Sequence, residues 1–146
     1  MNDYTGICLI VGSSPLSRKM AANRIKELYP EAILMSEPDD ATDALLSQID
    51  AWISHCKNEH KHYVITTNNV LVIRAVECIC DEYYAMNDLN VYDLDENTDI
   101  DKCRNLTYYE YGMSGLYDKF SCILNGLQSR THYDHDGNYI SEENDR

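Results

Sequence analysis

The chain has 146 residues, 44% of them hydrophobic, and a formal net charge of −13. This length suffices for one domain with a single core and falls short of two ordinary domains. The excess of acidic residues argues against binding to a nucleic-acid backbone, which depends on basic side chains that neutralise phosphates. We therefore expect one domain that binds a protein partner, and the composition leaves a homo-oligomer open.

The cysteines and the apolar stretches indicate where the protein works. Six cysteines, at positions 8, 56, 78, 80, 103 and 122, form neither a dense disulfide scaffold nor a CxxC repeat. We expect Cys8 and Cys122, which have apolar neighbours, to be buried free thiols. The start, MNDYTG, lacks a basic leader, and no apolar stretch approaches the length of a membrane span. These features predict a reducing, cytoplasmic setting without a membrane.

The first half of the chain alternates between apolar runs and amphipathic stretches. GICLIVGSS, from Gly6, predicts a strand covered on both faces, and SRKMAANRIKELYP predicts a helix that stops at Pro30. EAILMSEP predicts a second buried strand. DDATDALLSQIDAWISHCKNE predicts a second helix, with Asp39 and Asp40 near its N-terminus, where the helix dipole favours them. The apolar face predicted for this helix consists of Leu45, Leu46, Ile49, Trp52 and Ile53.

The second half continues the alternation. HYVITT predicts a third strand, and Asn68 and Asn69 supply a turn and a cap before the apolar helix VLVIRAVECICDEYYAM. LNVYDLDEN predicts a short fourth strand, an exposed acidic loop covers 93–101, and 116–127 has helical spacing. The class predicted is α/β, with three layers: a mostly parallel sheet of about four strands and helices on both faces. We expect this single domain to cover 1–130 and an acidic, flexible tail to cover 131–146.

Two strand ends carry the residues of a known pattern. Ser36, Glu37 and Pro38 follow the apolar run ILM, and Thr66–Asn69 ends the third strand. The pattern resembles the Walker B to H-loop half of an ATPase domain of the ABC, SMC and OLD group, an AAA-type fold, over roughly residues 31–127. The resemblance implies that Glu37 corresponds to the base that activates water. It also implies that Asn68 replaces the histidine that contacts the γ-phosphate.

The departures from that pattern affect the chemistry. Ser36 replaces the aspartate that helps to hold Mg²⁺ beside a triphosphate, and a hydroxyl cannot supply that negative charge. Asn68 cannot become a cation as histidine can. The Q-loop and the signature segment of an ABC-type ATPase are absent. We therefore expect a non-catalytic protein-binding module with a remnant ATPase-like fold, of the kind that phages and mobile elements direct at a larger protein machine.

The loop after the first strand has two interpretations. Against G-x-x-x-x-G-K-[ST], counted from Gly12, only the first glycine matches. An ordinary turn with Ser17 as helix cap is one interpretation. The other is a weak phosphate or nucleotide site, because free amides at a helix N-terminus attract anions. The residues predicted for that site are Gly12, Ser13, Ser14, Ser17, Arg18, Lys19 and Asn68.

Two enzymatic alternatives stay open. The first is a small nucleotide-binding phosphotransferase or hydrolase that uses the loop, Glu37 as its catalytic group and Mg²⁺. The second resembles a Toprim nuclease, in which Glu37, Asp93 and Asp95 would hold metal ions for phosphodiester cleavage. Pro38 stands where that family has glycine, and the net charge of −13 offers no surface for DNA. We expect no resident cofactor unless one of these alternatives holds.

Two further clusters of metal-ligand types have simpler explanations. The segment HCKNEHKH falls where a helix gives way to a strand, and no matching pair exists elsewhere to complete a zinc site. Its possible ligands are His55, Cys56, His60 and His62. DHDGNYISEEND, from Asp134, is similar to a calcium loop but has Tyr139 in place of the required glycine. A turn at Asp136 and Gly137 explains that segment better.

Overall fold

The computed structural model of the chain describes residue 2, residues 4–35 and residues 42–128. The described part contains strands, α-helices and three short 3-10 helices. The strands and α-helices are β1 (Ile7–Val11), α1 (Pro15–Leu28), β2 (Ile33–Met35), α2 (Thr42–Glu59), β3 (Tyr63–Thr67), α3 (Val70–Glu82), β4 (Leu89–Asp93) and α4 (Gly112–Gln128). The 3-10 helices cover Met86–Asp88, Ile100–Lys102 and Leu106–Tyr108.

The strands form one parallel sheet in the order β2-β3-β1-β4. Every residue of β1 and β4 is buried. This is expected for β1, which lies inside the parallel sheet, and β4 is buried although it lies at an edge. Val11, the last residue of β1, lies opposite Thr67 of β3 and Asp93 of β4. The predicted α/β class with a mostly parallel sheet of four strands is confirmed.

Helices cover both faces of this sheet. Right-handed crossovers place α1 on one face, and α2 and α3 on the other, because the chain moves in opposite directions along the sheet after β1 and after β2. Residues that alternate along β1 pack toward the two layers. The core on the α1 face includes Tyr4, Cys8, Ile10, Ala21, Ala22, Ile25, Val64, Tyr92 and Leu94.

The prediction that the second strand is buried is wrong. β2 has 3 residues, lies at the edge of the sheet, and pairs on one side only, with β3. Leu34 is 43% exposed. Sequence runs of this kind show apolar character but not the position of a strand in the sheet, and an edge strand has one neighbour fewer to exclude water.

The helices agree with the predictions in place and differ in detail. α3 ends at Glu82, before the apolar residues predicted to continue it, and Leu46 of α2 is exposed although it was assigned to the buried face. Cys8 is buried as predicted, whereas Cys122 is exposed on α4, contrary to our expectation. The helix that we predicted over 116–127 begins earlier, at Gly112.

The free edge of β4 is closed by side chains. Asn105 Oδ1 accepts a hydrogen bond from the Val91 amide at 3.0 Å, and Asn105 Nδ2 donates to Asn90 Oδ1 at 2.7 Å. The Thr107 hydroxyl donates to the Leu89 carbonyl at 3.1 Å. Asn105 and Thr107 thus each take one backbone group that a further strand would use, and an edge protected in this way is a poor template for strand addition.

Contacts divide the chain into two compact units, Met1–Tyr109 and Glu110–Arg146. The first contains the whole sheet with α1, α2 and α3, and the second contains α4. The predicted domain over 1–130 and the predicted tail over 131–146 stay predictions, since 129–146 lie outside the described residues. Within the described ranges, none of the helices has both the length and the apolar character of a bilayer-crossing segment.

Candidate functional site

The carboxyl edge of the sheet gathers most of the predicted site residues. β1, β3 and β4 end in register, so the loops that follow Val11, Thr67 and Asp93 leave the sheet side by side. The helices that follow β1 and β3 lie on opposite faces, which makes the space between these two strand ends a topological switch point. Parallel α/β proteins place ligand sites at such a crevice.

The loop between β1 and α1 consists of Gly12, Ser13 and Ser14. The Ser14 side chain accepts a hydrogen bond from the Ser17 amide at 3.2 Å, and Pro15 occupies the first turn. Ser14 is therefore the helix cap, and the prediction of Ser17 in that role is wrong, because Pro15 at the helix start shifts the cap to the preceding residue. A loop this short leaves no room for the phosphate-wrapping turn of a Walker A motif.

The amide of Ser13 is occupied by a carboxylate of the chain itself. Asp95 Oδ1 and Oδ2 accept from the Ser13 amide at 3.0 and 3.2 Å, and Oδ1 also accepts from the Ser13 hydroxyl at 2.8 Å. Asp93 Oδ1 accepts from the Asp95 amide at 3.0 Å, which fixes the turn after β4. We call this arrangement of Ser13, Asp93 and Asp95 the Asp95 clamp. The clamp puts an anion where a phosphate oxygen would bind.

Gly12 permits the clamp by its small size. A Cβ at this position would lie 3.1 Å from Leu94 Cβ and 3.8 Å from Asp95 Oδ1. The loop after β1 and the turn after β4 therefore approach more closely than an alanine would allow without displacement. The glycine that matches the first position of a Walker A motif has a packing role here.

The basic residues that we predicted for phosphate binding have different surroundings. The Arg18 guanidinium donates to the Gly12 carbonyl at the base of the loop. Lys19 is exposed on the first turns of α1. Arg18 thus stabilises the loop, and Lys19 is turned to solvent.

The polar residues at the end of β3 form a turn and a helix cap. Asn69 accepts from the Leu71 amide at 2.9 Å and caps α3, as predicted. The Thr67 hydroxyl is buried and accepts from the Asn69 amide. Asn68 is exposed at the switch point, so its amide remains at the same edge as the loop after β1.

Glu37 falls outside the described residues, as do Ser36 and Pro38. Its proposed roles as catalytic base and as metal ligand with Asp93 and Asp95 stay predictions. In the described ranges, no three side chains of His, Cys, Asp or Glu are grouped so that they could hold a metal ion. The histidine and cysteine cluster around Cys56 is within those ranges, whereas the calcium-like segment from Asp134 is beyond them.

The basic residues at the opposite edge of the sheet have structural partners. The Lys57 ammonium donates to the Tyr83 carbonyl at the end of α3, and His62 Nδ1 accepts from the Gly6 amide at 2.9 Å. His60, directly after α2, has a left-handed backbone conformation. These residues line a cavity of about 240 Å³. Because the carboxyl end of a helix favours cations, we assign these residues a structural role at the carboxyl ends of α2 and α3.

A second concave surface, which the sequence did not reveal, lies beside β4. A cavity of about 400 Å³ is lined by Arg104, Tyr108 and Tyr109 together with buried Tyr92. Tyr108 is 69% exposed and Tyr109 is 50% exposed. The Arg104 guanidinium lies over the Tyr109 ring, 5.1 Å from its centroid, and its Nε donates to Glu96 Oε1 at 2.6 Å. We call this the tyrosine-arginine surface. Its sequence signal is the pair Tyr108-Tyr109 within a polar segment.

The wall of this cavity contains a hydrogen-bonded ionisable pair. The Tyr4 hydroxyl donates to Asp101 Oδ1 at 2.8 Å, and Arg24 lies 3.2 Å from Asp101 Oδ2. The hydrogen bond from Tyr4, followed by the interaction with Arg24, holds the pKa of Asp101 below its ordinary value. Burial raises the pKa of the Cys103 thiol, which also lines the cavity, to about 11. Asp101 is thus ionised and Cys103 is an unreactive thiol at neutral pH.

Comparisons of the chain with protein-family models, with curated proteins and with solved structures gave no match.

Proposed function

We propose that this chain is a non-catalytic protein-binding domain with a remnant P-loop ATPase-like fold, which acts on a larger protein machine as phage and mobile-element accessory proteins do. The observation that carries this proposal is the tyrosine-arginine surface. Tyrosine and arginine are the residue types enriched in protein interfaces and in their energetic centres. Here Arg104, Tyr108 and Tyr109 stand together around one concavity in an acidic chain.

The side chains of the tyrosine-arginine surface are already held in place by contacts within the chain. Arg104 is held at two points, by Glu96 through a hydrogen bond and by the Tyr109 ring beneath it. Tyr108 and Tyr109 directly follow Leu106 and Thr107, which are fixed against β4 by the Thr107 hydroxyl and by burial of Leu106. Side chains that are already ordered lose little conformational freedom on binding, which favours association.

The Asp95 clamp supports the non-catalytic part of the proposal. Phosphoryl-transfer enzymes position the phosphates with backbone amides, a lysine and Mg²⁺. Here the Ser13 amide already donates to a carboxylate, and a phosphate in that place would meet the negative charge of Asp95. Lys19, the remaining cation of the loop region, is exposed on α1. The switch-point crevice is thus poorly suited to a triphosphate.

Affinity capture with matched variants tests the binding function. We would immobilise the wild-type chain, Tyr108→Ser/Tyr109→Ser and, as control, Tyr84→Ser, which removes a 91% exposed tyrosine elsewhere. Each would be incubated with lysate of the host cell, and bound proteins would be quantified by mass spectrometry. We expect a protein retained by the wild type and by Tyr84→Ser and lost with the double variant. Identical capture by all three, or no captured protein, would contradict the proposal.

Turnover assays test the enzymatic alternatives. Purified chain would be incubated with ATP or GTP and Mg²⁺ while released phosphate is measured, and with supercoiled DNA and Mg²⁺ while strand cleavage is measured. We expect neither reaction. Phosphate release abolished by Glu37→Gln would favour the hydrolase. Cleavage abolished by both Glu37→Gln and Asp93→Asn would favour the Toprim-like nuclease.

A further inference from the structure

We propose that the chain associates head to tail with copies of itself, through the outward side of α1 on one copy and the groove between α2 and α3 on the next. This inference goes beyond the proposed function and does not depend on it, because it involves neither the tyrosine-arginine surface nor the Asp95 clamp. Two complementary surfaces on opposite faces of the sheet carry it.

The outward side of α1 is an apolar stripe with a cation. Leu16, Lys19, Met20 and Asn23 recur at helical spacing on the side opposite the buried residues of this helix. Leu16 is 67% exposed and Met20 is 63% exposed. Leu16 and Met20 are one turn apart, so their side chains form a single ridge of the kind that enters a groove between two helices. We call these four residues the α1 stripe.

The charge of α1 is opposite to that of the chain. The helix contains four basic residues and one acidic residue, Glu27, which gives a net charge of +3 in a chain of −13. Arg24 pairs with Asp101, and Lys26 donates to the Ala32 carbonyl. Lys19 lies in the α1 stripe between Leu16 and Met20 and is exposed. A binding partner that suits this stripe therefore presents an apolar groove with acidic side chains at its rim.

Such a groove exists on the same chain. A cavity of about 330 Å³ lies between α2 and α3, lined by Leu46, Ser47, Asp50, Ala75, Cys78, Ile79 and Glu82. Leu46 is 42% exposed, and Cys78 is exposed as well. Asp50 and Glu82 supply two carboxylates, and the lining contains no basic residue. We call this cavity the acidic groove.

The two surfaces match in shape and charge. An apolar ridge of Leu16 and Met20 fits an apolar groove, and the Lys19 ammonium would approach the carboxylates of Asp50 and Glu82. The two surfaces lie on opposite faces of the sheet, so one copy cannot fill its own acidic groove. Contact between different surface patches of identical chains is heterologous and yields rings or open chains of subunits. Every copy brings both halves of the contact, which argues for a second copy as the occupant.

Sedimentation velocity over a range of concentrations tests the proposal. We expect the weight-average sedimentation coefficient of the wild type to rise with concentration and to rise less in high salt, since salt screens the Lys19 contact. Lys19→Glu should weaken self-association by about tenfold or more, because it replaces attraction by repulsion at the rim. The matched control is Lys61→Glu, which makes the same charge change at a residue that belongs to neither surface and should associate as the wild type does.

The decisive experiment mixes two variants, each of which has one of the two surfaces disrupted. Lys19→Glu keeps the acidic groove, and Leu46→Lys/Glu82→Lys keeps the α1 stripe. Each should associate more weakly alone than the wild type, and an equimolar mixture should recover association, because each variant supplies the surface that the other lacks and the introduced charges also attract one another. Acidic residues near a helix start and basic residues near a helix end are favoured by the helix dipole, so Lys19→Glu and Glu82→Lys are compatible with folding. Circular dichroism of each variant verifies this.

Three results would contradict self-association of the chain. A wild type that stays monomeric, a Lys19→Glu variant that associates as strongly as the wild type, or a mixture that associates no more strongly than the separate folded variants would each overturn the proposal. None of these results bears on capture of a partner by the tyrosine-arginine surface, since Tyr108 and Tyr109 are unchanged in every variant.

Discussion

Helices α1 and α3 begin at the same edge of the sheet and have similar lengths, yet they serve different purposes. α3 buries Val72, Ile73, Ala75, Val76, Ile79 and Cys80. α1 buries only Ala21, Ala22 and Ile25 among its residues and turns Leu16 and Met20 to solvent. The basic residues of α1 and the apolar residues of α3 produce this contrast. The comparison shows that α3 holds the core together, whereas much of α1 is available as a surface.

The two helices are alike at their starts. Ser14 caps α1 and Asn69 caps α3, each by accepting a hydrogen bond from a backbone amide of the first turn. Capping therefore stabilises both helices to a similar extent, by about 1 kcal/mol each. The contrast between them arises from which side chains they bury, and substitutions of single side chains can test it.

The largest expected effect is loss of a buried isoleucine. Ile73→Ala in α3 should lower the free energy of unfolding by about 3 kcal/mol, because Ile73 is fully buried and the truncation leaves a cavity. Ile25→Ala in α1 should cost a similar amount, since Ile25 is also fully buried. Urea denaturation gives both values. A small loss for Ile25→Ala would show that even the buried residues of α1 contribute little to stability.

High pH should weaken the α3 side of the molecule. Burial raises the pKa of the Cys80 thiol from 9.0 to about 12 and that of Cys56 in α2 to about 11. The folded state therefore favours the protonated thiols, so their contribution to stability is complete below pH 9 and is lost as the pH rises toward the folded pKa. At pH 10 we expect a loss on the order of 1 kcal/mol from Cys80.

Urea denaturation at several pH values between 8 and 10 would measure this loss. α1 contains no cysteine, but Cys103 in the core beneath it also has a raised pKa and contributes to the loss, so the Cys80 part must be separated by substitution. Cys80→Ala should reduce the slope of stability against pH, although it lowers stability at neutral pH. An unchanged slope in that variant would show that Cys80 ionises as easily in the folded state as in the unfolded chain.

The Asp95 clamp is expected to have a moderate effect. Asp95→Ala removes the hydrogen bonds to the Ser13 amide and hydroxyl and should lower the free energy of unfolding by about 1 kcal/mol, because the bonds are solvent-exposed. Asp95→Asn retains an acceptor oxygen and should cost less. Chemical denaturation of the three proteins tests this order. Equal stability of all three would mean that the clamp contributes nothing to the fold.

The smallest effect should come from the outward side of α1. Met20→Ala should change the free energy of unfolding by less than about 0.5 kcal/mol, because Met20 is largely exposed and alanine favours a helix. The same denaturation experiment measures it beside Ile25→Ala. A loss of more than about 1 kcal/mol would show that Met20 packs within its own chain, and the contrast between α1 and α3 would then disappear.

Local sequence patterns predicted the class and most elements because strand and helix periodicities are local. The apolar run over Ile7–Val11 and the amphipathic stretch of α2 were recognisable for this reason. The exposure of Leu34 depends on the order of strands in the sheet, which no local pattern contains. The cap is Ser14 and not Ser17 because Pro15, which favours the first turn of a helix, starts α1 earlier than the polar residues predict.

The candidate sites were harder to predict because they depend on contacts between distant parts of the chain. Ser13 and Asp95 are 82 positions apart, and no local pattern in either segment indicates that the Asp95 carboxylate accepts a hydrogen bond from the Ser13 amide. Asn105 likewise accepts a hydrogen bond from the Val91 amide of β4, 14 positions earlier in the chain. The Tyr108-Tyr109 pair was visible, but its concave setting was not. Strand ends therefore predict which residues share this edge of the sheet, but not the internal hydrogen bonds that those residues make.

At the switch-point crevice the Ser13 amide donates to the Asp95 carboxylate, and on this basis we claim that the crevice binds no nucleotide. The most direct measurement is an NMR titration of isotope-labelled chain with inorganic phosphate and with ATP and Mg²⁺, following the Ser13 amide. We predict that this amide stays unshifted in the wild type while it donates to Asp95. Saturable shifts of the amides from Ser13 to Lys19 would contradict the claim and restore the nucleotide-binding interpretation.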